Sequence, residues 1–267
     1  MREVDDGGGY VTRVLLTGAA GAIGGVLSGG LDLDDGHLRL FDRVEPSRSR
    51  GDHVVVADIT DYGAIVAACE GVDCVIHLAG IPHEARFPEL MENNVLGTFN
   101  VFEAAREQGV RRVVYASTNH VVGFHPADEI LDGHVDLRPD TLYGVSKVFG
   151  EALGRLYHDK HGLEVICLRI GSFRERPAAH RELSTWLSHG DAIRLFQRCI
   201  AAPRIGFVVA YGVSANSRVR WRDDARDVLG FVPLDDAERF ADDVGLPGAG
   251  DEFHGGAYTT REHVGGF

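Results

Sequence analysis

The 267-residue sequence predicts an α/β fold, a doubly wound parallel sheet with a small C-terminal cap. Three observations lead there. Strand-like and helix-like segments alternate from Val11 to Ile170, a glycine-rich turn closes the first strand, and 44% of the residues are hydrophobic, ample for a buried core.

The elements follow in order. Val11 to Leu16 is a short apolar run closed by TGAAGAIG, and a weakly helical stretch continues to about Leu31. His37 to Asp42 and His53 to Ala57 read as strands, Asp61 to Glu70 as a helix and Asp73 to Ala79 as a strand. Between Pro88 and Gln108, apolar Leu90, Val95, Phe99, Phe102 and Ala105 recur near helical spacing, which predicts one long helix. Arg111 to Ser117 is the next strand, Thr141 to His161 a helix and Glu164 to Ile170 a strand. Beyond Gly171 the pattern holds a helix at Asp191 to Ala201, a strand-like Ile205 to Tyr211, helical Arg222 to Leu229 and Asp235 to Val244, and a glycine-rich tail. That is too little for a second full domain.

The charge balance restricts the partners. Lys and Arg number 27 against 40 Asp and Glu, a net of −13, so nucleic acid is a poor partner. The only lysines are Lys147 and Lys160, and scarce lysine with abundant Asp resembles the acidic surfaces of halophilic proteins. An acidic interaction surface is the alternative. No apolar run is long enough to span a bilayer and the acidic, glycine-rich start is unlike a signal peptide, so a cytoplasmic protein without membrane contact is expected. Cys69, Cys74, Cys167 and Cys199 form no CxxC pair, which favours buried reduced thiols over disulfides or a metal site.

Gly18-Ala-Ala-Gly21-Ala-Ile-Gly24 directly follows the first strand and opens a helix, the place where glycines let a backbone approach a pyrophosphate. Asp42 closes the second strand, where a carboxylate accepts hydrogen bonds from the adenosine ribose and favours NAD. Arg43 beside it suits a 2′-phosphate and admits NADP. The expected organisation is a flexible leader (1–10), a Rossmann NAD(P)-binding domain (11–171), and a small substrate-binding cap with the tail (172–267). Asp58 ends a strand at the adenine end, while His77 is either beside the cofactor or a satisfied core histidine.

Tyr143 and Lys147 stand four residues apart in a helical segment and share a face. A nearby ammonium favours the phenolate and lowers its pKa, so Tyr143 is a candidate general base.

TGxxGxxG, Asp58, His77-Leu-Ala-Gly80, Asn94-Val-Leu-Gly97-Thr98, Ser117-Thr118 and Tyr143-xxx-Lys147 together resemble the extended short-chain dehydrogenase/reductase family. Ser117-Thr-Asn-His120, Arg138-Pro-Asp-Thr-Leu-Tyr-Gly-Val-Ser-Lys147, Arg169-Ile-Gly-Ser172, the 181–189 segment and Tyr211-Gly-Val-Ser-Ala-Asn216 are similar to the uronate dehydrogenases and halophile sugar 1-dehydrogenases. The resemblance implies oxidation of a cyclic sugar at C1 to its lactone. It makes Tyr143, Lys147, Thr118 and Asn94 catalytic. It assigns the cofactor to Gly18, Ala20, Gly21, Ala22, Ile23, Gly24, Asp42, Arg43, Asp58, Ile59, Leu78, Ala79, Gly80, Asn94, Tyr143, Lys147 and Ile170. The substrate falls to Pro82, His83, Thr118, Asn119, His120, Tyr143, Ser172 and Arg181.

An arginine fork at Arg181 suits a sugar carboxylate, with a structural ion pair to Asp or Glu that holds the cap as the alternative. Pro82 stands where the uronate enzymes place serine, and Thr118 replaces a serine. With the acidic composition, these departures favour a free pentose such as L-arabinose, with a hexuronate as the alternative and glucose 6-phosphate behind both. A nucleotide-sugar epimerase or dehydratase, or a dinucleotide-sensing regulator, are the readings from other classes. A homo-oligomer is expected by family likeness, and the tail around Phe253 and Tyr258 is expected to fold over the pocket or to form a plain tip.

Overall fold

The computed structural model describes residues 12–33, 37–47, 53–222 and 225–263, so the leader expected at 1–10 lies outside it. In chain order the elements are β1 (Val14–Thr17), α1 (Ala22–Gly30), β2 (Leu38–Asp42), β3 (His53–Val56), α2 (Tyr62–Cys69), β4 (Cys74–His77) and α3 (Phe87–Leu90). A π turn at Met91–Leu96 leads into α4 (Gly97–Glu107), then β5 (Arg112–Thr118), α5 (Leu142–His161), β6 (Glu164–Ile170) and β7 (Ser172–Phe173). The chain ends with α6 (Glu182–Thr185), β8 (Trp186–Leu187), α7 (His189–Ala201), β9 (Phe207–Gly212), α8 (Ala225–Leu229) and short 3-10 turns at Ala237–Asp243 and Gly256–Thr259.

Seven parallel strands form one sheet in the order β3-β2-β1-β4-β5-β6-β9. Parallel strands are buried on both faces, which is why they read as unbroken apolar runs. Alternate residues divide between two cores: Val14, Leu16, Val114 and Ile166 face the side covered by α1 and α7, while Leu15, Val113, Tyr115 and Val165 face α2, α4 and α5. Chain order reverses between β1 and β4, and the crevice at the carboxyl ends of the strands opens there. This is the Rossmann-like doubly wound architecture.

Two expectations change. The single helix expected from Pro88 to Gln108 is α3, a π turn and α4, because one extra residue is accommodated at 91–96 without disturbing the apolar spacing on either side. The residues after 171 do not all cap the sheet. β9 pairs with β6 as the seventh strand and α7 packs on α1, since Val208 and Val209 carry apolar side chains to the two opposite cores. What lies over the carboxyl edge is the β7–β8 pair, α6 and the tail, with the 237–243 turn packed on α6.

Arg112, fully buried, fixes the return from α7 to β9. It donates to the carbonyls of Cys199 (2.7 Å), Ile200 (3.0 Å), Ala202 (2.9 Å) and Pro203 (2.9 Å) and to the Glu164 carboxylate. A buried charge is tolerated only when its donors are so satisfied. All four cysteines are buried and none forms a disulfide. Burial pushes the thiols of Cys69 and Cys74 up to about 12 and that of Cys167 well above the usual range.

Candidate active site

A cleft of about 1110 Å³ runs along the carboxyl edge of the sheet, from the end of β2 to the β7–β8 segment and the tail. Its first wall is the glycine turn. Gly18 sits at φ +74°, and a Cβ there would come within 2.7 Å of the Ala79 nitrogen, so glycine lets the ends of β1 and β4 meet. Ala20, Gly21, Ala22, Ile23 and Gly24 complete this wall as the chain enters α1.

Asp42 accepts a hydrogen bond from the Ala20 nitrogen (2.9 Å), which ties the glycine turn to β2 and leaves the carboxylate on the cleft. Arg43, Asp58 and Ile59 line the same end. Two hydrogen bonds from Thr60, through its nitrogen (2.8 Å) and hydroxyl (2.7 Å), hold the Asp58 carboxyl below its ordinary range. Leu78, Ala79 and Gly80 form the floor and Ile170 the opposite side. A glycine turn at a helix N-terminus, a strand-end carboxylate and an apolar floor fit a dinucleotide lying across the switch point. Among the described residues, no group of three or more His, Cys, Asp or Glu side chains is placed to hold a metal ion.

Tyr143 and Lys147 come from the start of α5. Thr141 caps that helix by accepting from the Gly144 nitrogen (2.9 Å), and Gly162 closes it in the left-handed conformation. Both side chains reach the cleft beside Thr118, whose hydroxyl acts to lower the Tyr143 phenol. The Lys147 ammonium lies over the Tyr115 ring at 5.1 Å. The expected lowering of the phenol by its lysine is not what the protein alone presents. Burial pushes Tyr143 up to about 12, and burial pushes Lys147 down to about 8. Desolvation, invisible in a spacing pattern, outweighs the attraction across one helical turn.

Two predicted residues stand apart from the cleft. Asn94, carried on the π turn, is buried behind its wall. It accepts from the Ile81 nitrogen (2.7 Å) and donates to the Ile81 carbonyl (3.1 Å) and the Ser146 hydroxyl (2.9 Å), so here it supports the site and does not line it. His77 is a satisfied core histidine, bonded to Thr17 Oγ1 (2.8 Å) and Thr98 Oγ1 (3.1 Å), and burial pushes it down to about 3.

The far end of the cleft collects Pro82, His83, Asn119, His120, Ser172 and Arg181. His120 Nδ1 meets the buried Asp140 carboxylate at 2.8 Å, and Ser172 shares a hydrogen bond with Thr185 (2.9 Å). Arg181 donates to the His254 carbonyl (2.6 Å) and the Asn119 amide oxygen, while the Asn119 nitrogen donates to the Ile170 carbonyl (3.1 Å). Burial holds the guanidinium below its ordinary value.

The tail closes this end. The His254 and Gly255 nitrogens donate to the carbonyls of His125 and Gly123, and a side chain at Gly255 would collide with Asp140. Asp251, Gly255, Ala257 and Tyr258 then line the cleft, and the Tyr258 ring sits 4.4 Å from that of His120.

Several contributors were not anticipated from the sequence. Asp140 immediately precedes the α5 cap, a position that offered a signal. Glu84 accepts from the nitrogens of Leu142 (3.2 Å) and Tyr143 (2.8 Å), and no local pattern announces so distant a partner. Glu151 carries a sequence signal, because 143, 147 and 151 share one helix face. It accepts from Ser117 (2.6 Å) and pairs with Arg169 (2.9 Å), joining α5 to the strands that carry Thr118 and Ile170.

Comparison with known proteins agrees with this geometry. Residues 14–174 match the model of the NAD dependent epimerase/dehydratase family. A uronate dehydrogenase of Pseudomonas syringae pv. tomato is 43% identical over 230 residues, covering 85% of this chain and 84% of that one. An L-arabinose 1-dehydrogenase (NAD(P)(+)) of Haloferax volcanii is 36% identical over 253 residues, covering 85% and 98%. Among solved structures, an Agrobacterium tumefaciens uronate dehydrogenase complexed with NAD is 38% identical with a TM-score of 0.84, covering 93% of this chain and 97% of that one. The glycine turn, the Tyr143–Lys147 helix and these likenesses lead to one conclusion: the chain belongs to the NAD dependent epimerase/dehydratase family and is an NAD-dependent oxidoreductase.

Proposed function

We propose that this enzyme oxidises the C1 hydroxyl of a cyclic hexuronate, galacturonate or glucuronate, to the aldarolactone. The observation that carries this reading is Arg181. A guanidinium enclosed by the tail, with donors held by the neutral oxygens of His254 and Asn119, is the group that pairs with a sugar carboxylate. A free pentose offers it no anion. The relatives point the same way, with the uronate dehydrogenase at 43% identity against 36% for the arabinose enzyme, so the expected preference for L-arabinose gives way to the uronate alternative.

In this mechanism the sugar lies between Thr118, Tyr143 and Arg181. Tyr143 takes the C1 hydroxyl proton, Thr118 hydrogen-bonds the reacting oxygen and Arg181 orients the carboxylate. NAD, when bound, supplies the hydride acceptor and a positive charge. Lys147 adds its own charge beside the phenol. Lowering a phenol that burial holds near 12 to the working pH is the task of these charges. Asp42 and the glycine turn would hold the adenosine ribose and pyrophosphate, and Arg43 beside them leaves NADP as a second acceptor.

The acidic, lysine-poor surface supports action in concentrated salt, and the absence of a disulfide among the four cysteines suits the cytoplasm. Exposed Phe87, Met91, Leu96, Phe99, Val145 and Leu156 on the neighbouring α3–α4 and α5 segments support self-association. Light scattering tests that. Turnover of galacturonate, glucuronate, L-arabinose and glucose 6-phosphate with NAD and with NADP, in low and molar KCl, tests the whole reading. Galacturonate or glucuronate is expected to give the highest kcat/KM, and a higher value for arabinose would overturn it.

A further inference from the structure

The peptide groups of Tyr143 are held at both ends from one loop. The Tyr143 nitrogen donates to Glu84 Oε2 (2.8 Å), and the Leu142 nitrogen donates to the other oxygen of that carboxylate (3.2 Å). The Tyr143 carbonyl accepts from Ser146 Oγ (2.7 Å), which itself accepts from Asn94 Nδ2 (2.9 Å). Asn94 clamps the nitrogen and carbonyl of Ile81. Glu84 and Ile81 belong to the connection between β4 and α3, and its Ile81, Pro82 and His83 line the sugar end of the cleft.

The first amides of a helix have no partner within it. Thr141 satisfies the third amide of α5, at Gly144, and Glu84 satisfies the first two. A carboxylate there also complements the positive end of a 20-residue helix. Without it the first turn is free to fray, and Tyr143 stands in that turn. Displacing a reacting group by about 1 Å costs roughly a hundredfold in rate.

We propose that Glu84 is a positioning residue that makes the sugar-facing wall and the Tyr143 end of α5 one rigid unit. The inference rests on Tyr143 being the base. The glycine turn and Asp42 stand on the β1–α1 junction and the end of β2, not on α5, so NAD affinity serves as the control.

The test compares Glu84→Ala and Glu84→Gln with the parent full-length enzyme by steady-state kinetics, direct NAD titration and amide hydrogen exchange. In Glu84→Ala, kcat falls at least tenfold, KM for the sugar rises, and the NAD dissociation constant stays within twofold. Exchange accelerates at Leu142 and Tyr143 but not in the second half of α5. Glu84→Gln, which keeps one acceptor oxygen, gives an intermediate kcat. An unchanged kcat in Glu84→Ala, or equal losses in kcat and NAD affinity, overturns the proposal. Exchange needs no substrate, so an inactive parent rejects the proposed function alone, and unchanged exchange at Leu142 and Tyr143 rejects the clamp alone.

Discussion

The Lys147 ammonium lies 5.8 Å from the centre of the Tyr143 ring, and both groups are almost wholly withdrawn from solvent. Burial drives the two in opposite directions, the phenol upward and the ammonium downward, so each resists its charged form. Tyr143→Phe removes only the proton acceptor. Its kcat is expected to fall by about 10²–10⁴-fold while NAD affinity measured by titration stays near that of the parent. Retention of more than a tenth of the parent rate rejects Tyr143 as the base.

Lys147 weakens the fold that holds it. Its pKa falls from 10.5 to about 8, so below pH 8 the folded protein bears the full cost of a buried charge. Between 8 and 10.5 the unfolded chain keeps a proton that the folded one releases, and stability rises with pH across that window. The cost at neutral pH is about 3 kcal/mol. Lys147→Met is therefore expected to melt higher than the parent at pH 7, with the gap closing by pH 10, while losing activity. A lower melting point at pH 7 contradicts this account.

His77 makes the protein acid-sensitive. Its imidazole value drops from 6.5 to about 3, so its contribution is intact above pH 6.5 and is lost as the pH falls toward 3. In that range the unfolded histidine binds a proton that the folded one refuses. From pH 6.5 to 5 the parent should lose about 2 kcal/mol more stability than His77→Gln, measured by urea denaturation. Parallel pH dependences for the two proteins would show that His77 does not contribute.

Arg181 separates acidic from neutral sugars. Truncating one partner of a buried charge pair costs a few kcal/mol, so Arg181→Ala should lower kcat/KM for a hexuronate about a hundredfold. Any turnover of L-arabinose should change less than fivefold. Equal losses on both sugars would assign Arg181 to holding the tail through His254.

Much of this architecture is legible in the sequence because parallel strands are apolar on both faces and because the glycine turn can serve only at a strand-to-helix junction. Strand β6 was expected at Glu164 to Ile170 and occupies those residues. The π turn is hidden, since its extra residue leaves Leu90, Phe102 and Ala105 near helical spacing. Glu84 and Arg112 are hidden for another reason: their partners lie 52 or more residues away, and no local pattern encodes such a contact. Burial likewise sets the ionisation of Tyr143 in the protein alone, opposite to the direction in which its lysine acts. A spacing of four residues reports which groups are neighbours but not how far both are withdrawn from water.

The π turn at Met91–Leu96 also sets a rule for length. Removing one residue there would let 87–107 relax into an uninterrupted α-helix whose flanking turns keep their faces, while the widened turn that carries Asn94 is lost. Asn94 would swing away from Ile81 and Ser146 although its own codon was untouched. Libraries that vary this segment should thus exchange residues freely on its outer side and never shorten it.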